Sequence, residues 1–307
     1  MTQSDPVSRQ DISVAAQHIE AYVRRTPTLA LRTGLVLKLE FLQHTGSFKA
    51  RGAFNFVLTR PALPPAGIIA ASGGNHGMAV AHVGRVLGLR TEVFVPKVSS
   101  PLKRERIAAL GATVTVVGDI YDDALAASLR RAAETGALAV PAFDAVATIA
   151  GAGTLFRELS LDEPDLDTVV VAVGGGGLVA GALAWYRRDL RVVAVEPETS
   201  AALHAALQAG EPVKVPVSGI AADSLGAATV GQLPFELAAR HLHRSLVVSD
   251  EDIAAAQEAL WGEARILAEP GGAAAYAAIL SGTYQPGPGE RVGVIVCGAN
   301  VARPPTT

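Results

Sequence analysis

Lys49 is the residue whose type and setting point most directly to chemistry. It lies in residues 45–53, which read Thr-Gly-Ser-Phe-Lys-Ala-Arg-Gly-Ala, and the rest of the chain contains only four other lysines. An amine flanked by Phe48 and small residues is partly desolvated, which lowers its pKa and makes it nucleophilic. Such an amine suits a Schiff base with an aldehyde cofactor. The alternative is a lysine that extends from the start of a surface helix.

A glycine loop follows one predicted strand and opens a predicted helix. Backbone N–H groups at a helix start bind anions such as a carboxylate. The Asn75 amide adds a donor for a phenolic oxygen on a cofactor ring, and His76 is a candidate to line the same site. The alternative is a glycine-rich turn with no ligand. The loop consists of Ser72, Gly73, Gly74, Asn75 and His76.

A second glycine loop follows an apolar strand and also precedes a helix. Consecutive glycines let the backbone wrap a phosphate, and the dipole of the following helix assists. The loop is neither a dinucleotide fingerprint nor a Walker loop, so it fits a small phosphorylated cofactor better than ATP. A tight packing turn is the alternative. The loop consists of Gly174, Gly175, Gly176, Gly177 and Leu178.

Two further side chains are candidates for the same site. Cys297 ends the last predicted strand, where its thiol could face a ring nitrogen or be a buried small residue. Glu269 precedes a predicted helix, where its carboxylate could interact with the helix dipole or reach the site. His241 and His243 lack a third apparent ligand, so we interpret them as a surface pair and predict no metal site.

These residues need a scaffold of alternating strands and helices. Near-continuous apolar strands that alternate with helical patterns predict an α/β fold with mostly parallel open sheets covered by helices on both faces. Ser8 and Asp11 form a capping-box pattern at the start of an amphipathic first helix. Strands are predicted over residues 67–71, 91–95, 113–117, 168–173, 191–195 and 292–297, and helices over 77–87, 101–110, 121–135 and 178–187.

Breaker-rich segments divide the chain into two predicted domains. Residues 60–65 read Arg-Pro-Ala-Leu-Pro-Pro, and a second break lies near Pro141. We therefore predict a small mobile α/β domain over residues 66–140. The larger, cofactor-binding domain would comprise residues 1–65 and 141–307, with Lys49 just before the first break.

Composition excludes several classes of protein. The 307 residues carry a net charge of −3 and no basic block, so nucleic-acid binding is not expected. No apolar run indicates a membrane span, and the polar residues 1–10 do not form a signal peptide. A single cysteine, Cys297, excludes an internal disulfide and fits a cytoplasmic protein.

Together these segments resemble the fold-type II pyridoxal-phosphate enzymes, which share the tryptophan synthase β-like fold, and specifically the serine/threonine dehydratase (threonine ammonia-lyase) group. The matching stretches occur in the family's order and cover nearly the whole chain. They are residues 46–52, 72–77, 174–178, 195–198, 268–270 and 297–300.

The resemblance implies that the cofactor is pyridoxal 5'-phosphate and assigns a role to each matching residue. Lys49 would carry the cofactor and remove a substrate proton, with Phe48 packed against the cofactor ring. Asn75 would face the 3-oxygen, residues 174–178 would hold the phosphate, and Cys297 would face the pyridine nitrogen. The family also implies a homodimer.

The 72–76 loop would then hold the carboxylate of an amino-acid substrate, but three positions depart from some relatives. Gly73 stands where racemases have a serine that acts as a second acid or base, so racemisation should be weak. Ala202 replaces the acidic cation ligand expected after Glu196, which puts that metal site in doubt. Ala50 replaces the aspartate usual in synthases, as it does in dehydratases.

The predicted function is therefore a dehydratase that converts L-threonine or L-serine to a 2-oxo acid and ammonia. A serine racemase, a hydroxyaspartate or phenylserine dehydratase and a non-catalytic pyridoxal-phosphate-binding protein remain alternatives. Residues 222–226 resemble a family segment near the substrate, with Ser224 where glycine is usual.

Overall fold

The computed structural model describes residues 5–301, whose strands form two separate sheets. Most strands are short runs of β-branched residues, which favour extended backbone. In chain order the strands are β1 (Thr28–Arg32), β2 (Leu35–Lys38), β3 (Ile68–Ala71), β4 (Thr91–Val95), β5 (Thr113–Val116), β6 (Leu138–Ala139), β7 (Thr168–Ala172), β8 (Arg191–Pro197), β9 (Arg244–Val248) and β10 (Val292–Ile295).

The larger sheet has six strands in the order β1-β2-β10-β7-β8-β9. Neighbouring strands run parallel except β1 and β2, which are antiparallel. Strands β7 and β10 are buried along their whole length, as expected for a parallel sheet covered by helices. The smaller sheet has the order β5-β4-β3-β6 and is entirely parallel. The predicted mostly parallel α/β fold is confirmed.

Helices connect the strands, as the parallel pairing requires. Short 3₁₀ turns occur at Glu40–Leu42, His44–Gly46 and Glu198–Ser200. The α-helices are α1 (Arg9–Ile19), α2 (Lys49–Leu58), α3 (Asn75–Leu87), α4 (Pro101–Ala109), α5 (Tyr121–Thr135), α6 (Val146–Asp162), α7 (Gly177–Tyr186), α8 (Ala202–Ala209), α9 (Ala222–Leu225), α10 (Gln232–His241), α11 (Asp250–Ala264) and α12 (Pro270–Leu280).

Local sequence signals place the predicted helices correctly. The capping box at α1 is present, because the Asp11 carboxylate accepts the Ser8 N–H at 2.8 Å and the Ser8 hydroxyl accepts the Asp11 N–H at 3.2 Å. Helix α5 has the predicted bounds, and α3, α4 and α7 begin and end within two residues of theirs.

The sequence analysis does not predict four of the strands, which are β1, β2, β6 and β9. Strand β6 has two residues, and β1 alternates between half-buried and exposed positions, so neither forms an apolar run. Strand β2 ends in Lys38, which is fully buried. Its ammonium donates to the Thr26 carbonyl at 2.5 Å and lies 3.3 Å from a carboxylate oxygen of Glu158. A charged residue is buried in a strand only with such partners.

The strands of the smaller sheet all lie within residues 68–139, inside the segment predicted as the small domain. The exact division between the two domains remains a prediction. Across residues 5–301, no helix combines the length and the apolar character needed to cross a bilayer.

Candidate active site

The carboxyl ends of strands from both sheets lead to one cavity. Strand β7 leads into the 174–178 loop, β10 ends just before Cys297, and β3 leads into the 72–76 loop. Ligands of open α/β sheets bind at this edge. The cavity is lined by the predicted residues Phe48, Lys49, Asn75, Gly174, Gly175, Gly176, Gly177, Leu178 and Cys297, and also by Phe143, Ala172, Val173, Ser224, Leu225, Glu269 and Gly271.

Lys49 is the first residue of α2 and directs its side chain into this cavity. Its ammonium donates to the Ala142 carbonyl at 2.8 Å and lies 5.0 Å from the centre of the Phe48 ring. Burial lowers the pKa of Lys49 from 10.5 to about 8, because the charged form is poorly solvated there. A substantial fraction of this amine is therefore neutral at mildly alkaline pH.

Backbone hydrogen bonds hold the Lys49 segment beside the end of β10. The Phe48 N–H donates to the Cys297 carbonyl at 3.1 Å, and the Ala299 N–H donates to the Gly46 carbonyl at 3.0 Å. These two bonds place the amine and the thiol in the same cavity although they lie far apart in the sequence.

A buried ion network holds the other side of α2. The Arg51 guanidinium contacts Glu40 Oε1 at 2.6 Å and Glu158 Oε1 at 2.7 Å, and both Arg51 and Glu40 are completely buried. Removing one partner of such a network costs about 3–5 kcal/mol, because it leaves a buried charge without compensation. The network therefore fixes the helix that begins with Lys49.

The 174–178 loop requires glycine because neighbouring residues approach its backbone closely. A Cβ atom on Gly175 would lie 2.3 Å from Cδ1 of Phe143, and one on Gly177 would lie 2.8 Å from Phe143 Cβ. A Cβ on Gly174 would lie 3.0 Å from the backbone of Leu225. Side chains at these positions would displace their neighbours, so the loop presents bare backbone to the cavity.

The same loop has unused hydrogen-bond donors. Within residues 5–301, the N–H groups of residues 174–178 donate to no protein group. Gly176 is the N-cap of α7, has a φ of +91° and offers no side-chain cap. Free N–H groups at a helix N-terminus form a site for an anion, and the helix dipole reinforces it.

Asn75 is held by two side chains that come from other parts of the chain. Its amide nitrogen donates to Glu269 Oε1 at 2.5 Å, and its amide oxygen accepts from the Asn300 amide at 2.7 Å. Burial raises the pKa of Glu269, whereas the hydrogen bond from Asn75 opposes that rise. Of the two positions that the sequence allows for Glu269, the structure shows the one in the cavity.

Cys297 carries a protonated thiol at neutral pH. Its sulfur donates to the Gly271 carbonyl at 3.5 Å, and burial raises the pKa of the thiol to about 12. A neutral thiol is a poor nucleophile but a weak hydrogen-bond donor. The chemistry of this side chain therefore fits a neutral partner for a ring atom.

The remaining members of the 72–76 loop do not line the cavity. The Ser72 hydroxyl accepts the Gly74 N–H at 3.2 Å, and a Cβ on Gly73 would lie 2.3 Å from the Ser99 hydroxyl. The buried His76 ring contacts the Val140 carbonyl at 2.9 Å, and burial lowers its pKa to about 3. Their predicted contact with a substrate remains a prediction.

Potential metal ligands are engaged elsewhere. The Glu196 carboxylate accepts the N–H groups of Leu203 and His204 at 2.7 Å each, and burial raises its pKa to about 7. His241 contacts Asp5 at 2.8 Å. Across the described residues, no three side chains of His, Cys, Asp or Glu are grouped as metal ligands.

Sequence reasoning missed the neighbours that shape the cavity. Phe143 and Leu225 press on the 174–178 loop. The residue type of Phe143 does not indicate a site and its position follows from long-range packing, whereas Leu225 lies in the 222–226 segment that resembles a family segment near the substrate. The one available signal at Phe143 is the chain break near Pro141. Ser224 lines the cavity, and its hydroxyl accepts the Gly271 N–H at 3.0 Å.

Comparison with known proteins yields related sequences over nearly the whole chain. Residues 19–298 match a family described as pyridoxal-phosphate dependent enzyme. An L-threonine ammonia-lyase from Thermotoga maritima is 34% identical, with coverage of 96% of this chain and 76% of the relative. A phenylserine dehydratase from Ralstonia pickettii is 35% identical, with coverage of 98% of this chain and 96% of the relative.

Solved structures show the same architecture. A threonine deaminase from T.th. has a TM-score of 0.90 and 32% identity, with coverage of 97% of this chain and all of that one. A maize serine racemase also has a TM-score of 0.90, with 28% identity and coverage of 96% of this chain and 94% of the other.

Proposed function

The chain belongs to the pyridoxal-phosphate dependent enzyme family, and we propose that it is a lyase that converts L-threonine or L-serine to a 2-oxo acid and ammonia. The observation that carries this proposal is the meeting of the Lys49 amine with the free N–H groups of residues 174–178 in one cavity. The threonine ammonia-lyases and deaminases among its relatives support the reaction type.

The residues that line the cavity fit pyridoxal phosphate. The 174–178 loop offers donors for a phosphate, Lys49 offers an amine for the aldehyde, and Cys297 offers a neutral group for the ring nitrogen. Asn75 would serve the phenolic oxygen, because one of its two amide protons remains available beyond the bond to Glu269. The bound cofactor supplies an electron sink for negative charge at the substrate α-carbon.

Lys49 is the proton-transfer group of this site. Its lowered pKa of about 8 lets the neutral amine take the α-proton near physiological pH, as general base catalysis requires. The proton held at the Cys297 sulfur is not readily released, because the pKa of that thiol is about 12. The thiol would therefore donate only a weak hydrogen bond to the ring nitrogen and leave that nitrogen largely unprotonated. Less negative charge then builds up at the substrate α-carbon, which favours elimination of the β-hydroxyl over return of the proton.

The 72–76 loop binds the substrate carboxylate in this proposal. Helix α3 begins there with Gly74 as its N-cap, and no side chain caps the free N–H groups of its first turn. Asn75, a member of this loop, lines the cavity. An anion bound at this helix start would share the cavity that Asn75 and Lys49 line.

A racemase is the second candidate, because serine racemases are among the similar structures. The site disfavours it on one specific ground. Gly73 has no side chain to move a proton, and a Cβ at that position would lie 2.3 Å from the Ser99 hydroxyl. A serine at position 73 would therefore need Ser99 to move before it could act.

The protein is a cytoplasmic homodimer in this proposal. The single cysteine, Cys297, is buried and free, which fits a reducing compartment. The dimer rests on the family resemblance. Light scattering of the purified protein should give twice the mass of 31.5 kDa, and a monomer mass would contradict this part of the proposal.

The function is tested by incubating the purified, cofactor-loaded protein with L- and D-serine, L- and D-threonine, 3-hydroxyaspartate and phenylserine. We expect 2-oxo acid and ammonia from L-threonine or L-serine, and little D-amino acid. A yellow protein that releases ammonia from none of these compounds would favour a non-catalytic cofactor-binding protein. Fastest turnover of phenylserine or 3-hydroxyaspartate would support the corresponding alternative dehydratase.

A further inference from the structure

A salt bridge joins elements associated with the two sheets near the cavity. Lys103 belongs to α4, which packs against β5 of the smaller sheet, and Asp223 belongs to α9, which contacts α12 beside the larger sheet. Their charged atoms are 2.8 Å apart. The Lys103 side chain is only 20% exposed, whereas that of Asp223 is 84% exposed. The lysine side chain is thus half-buried, whereas its carboxylate partner faces solvent.

Two observations place Asp223 beside the cavity. Asp223 directly precedes Ser224, which lines the cavity. A Cβ on Gly74 would lie 3.3 Å from the Asp223 carbonyl. The 72–76 loop therefore packs against the segment that carries the negative member of the pair.

The charges of the pair are also felt inside the cavity. Burial is the main cause of the raised pKa of Glu269, but the Lys103 ammonium lowers that pKa and the Asp223 carboxylate raises it. Glu269 lines the cavity and holds Asn75. A charge on an entering ligand would experience the same two groups.

We propose that Lys103 and Asp223 determine the charge specificity of the site, so that it accepts β-hydroxy amino acids with an uncharged β-substituent and rejects those with a second carboxylate. This inference rests on the proposed function. Because Asp223 neutralises Lys103, no free cation beside the cavity attracts a second carboxylate, which would lose its hydration there without a compensating partner. Threonine, serine and phenylserine escape this penalty, whereas 3-hydroxyaspartate does not.

A purely structural salt bridge makes a different prediction. If the pair only joined α4 to α9, loss of either member would weaken the contact between these helices. Turnover of every substrate would then fall by a similar factor in both variants. If the pair instead determines charge specificity, substitution of the two members should shift the preference for 3-hydroxyaspartate over L-threonine in opposite directions. One substitution leaves an unpaired cation and the other leaves an unpaired anion.

The experiment compares kcat/KM for 3-hydroxyaspartate with kcat/KM for L-threonine in the holoenzyme. We expect the ratio to rise about tenfold in Asp223→Asn, since the Lys103 cation becomes available, and to fall severalfold in Lys103→Met. The double variant should return close to the wild-type ratio. Asp223→Ser provides a second test of the same position, where high exposure favours correct folding.

The pair of Lys214 and Asp122 supplies a matched control. Its charged atoms are 3.6 Å apart and join the 211–221 segment to α5. Neither residue adjoins a cavity-lining residue, as Asp223 does, or affects the pKa of Glu269, as both Asp223 and Lys103 do. Asp122→Asn should leave the substrate ratio unchanged.

Some outcomes would overturn the inference. An unchanged ratio in Asp223→Asn, or a gain that persists after Lys103→Met is added, would overturn it while leaving the proposed function intact. A wild-type holoenzyme that releases no oxo acid from threonine or serine would instead overturn the proposed function, and the inference with it.

Discussion

The two sides of the cavity have the same strand–loop–helix arrangement but differ in how many loop residues line the cavity. On each side a buried parallel strand ends in a glycine-rich loop that opens a helix. Beside the larger sheet, every residue of the 174–178 loop lines the cavity, and neighbouring residues leave no space for side chains at its four glycines. Beside the smaller sheet, only Asn75 of the 72–76 loop lines it.

This difference shows that the residues packed against a glycine loop determine whether the loop presents its backbone to the cavity. Phe143 and Leu225 press on Gly174, Gly175 and Gly177, which makes that loop a rigid cradle. In the 72–76 loop, a Cβ on Gly73 would lie 2.3 Å from the hydroxyl of Ser99, which does not line the cavity, and one on Gly74 would lie 3.3 Å from the Asp223 carbonyl oxygen. We therefore infer that the larger-sheet side fixes the cofactor and that the smaller-sheet side contributes to substrate binding.

The largest expected loss of turnover follows substitution of Lys49, on the larger-sheet side of the cavity. Lys49→Ala should lower turnover by about 10³-fold or more, because both the attachment point of the cofactor and the general base are lost. The cofactor absorbance shift on addition of substrate should disappear as well. Lys214→Ala is the matched control, since Lys214 is 75% exposed and outside the cavity. Retained turnover in Lys49→Ala would contradict the assignment.

Alanine substitutions in the two glycine loops compare the sides directly. Gly175→Ala should weaken cofactor binding by roughly 10- to 100-fold, because overpacking against Phe143 costs about 1–3 kcal/mol. Gly74→Ala should weaken it by less than about fivefold, since its neighbour is more distant. The measurement is a fluorescence titration of cofactor-free protein with pyridoxal phosphate. Equal losses in the two variants would remove the distinction between the loops.

The titration of Lys49 gives a pH test of the larger-sheet side. Attachment needs the neutral amine, and the pKa of Lys49 is lowered to about 8. The attachment rate should therefore rise about tenfold per pH unit below pH 8 and level off above it, rather than rise towards 10.5. Stopped-flow absorbance measures this rate, and a simple alkylamine corrects for titration of the cofactor itself. A rate that still climbs steeply above pH 9 would contradict the lowered pKa.

The smallest effect is expected at Cys297. Cys297→Ser should change turnover by less than about threefold, because a hydroxyl is also a neutral donor of similar size. Cys297→Ala should cost more, since it leaves the ring nitrogen without that donor. Complete loss of activity in the serine variant would show that the thiol has another role.

The sequence predicts the parts of this molecule that depend on local patterns. The capping box of Ser8, the bounds of α5 and the glycine-rich starts of α3 and α7 are all signals within a few residues, and each is where it was expected. Strand β2 is not, because Lys38 is neutralised only by partners from distant segments.

The site shows the same limit. Lys49, Asn75 and Cys297 are identified by residue type and by their positions at the ends of strands and starts of helices, and all three line one cavity. The neighbours that shape it, such as Phe143, have no distinctive chemistry. The salt bridge of Lys103 and Asp223 depends on how α4 and α9 approach each other, which no local pattern encodes.

The most direct test of the central claim is to identify the residue to which pyridoxal phosphate is attached. The holoenzyme would be reduced with borohydride, digested and analysed by mass spectrometry, with the five lysines of the chain as the possible sites. We predict that the phosphopyridoxyl group is found on Lys49. Labelling of Lys38, Lys97, Lys103 or Lys214 instead, or no stable labelling, would contradict the account of this cavity as the cofactor site.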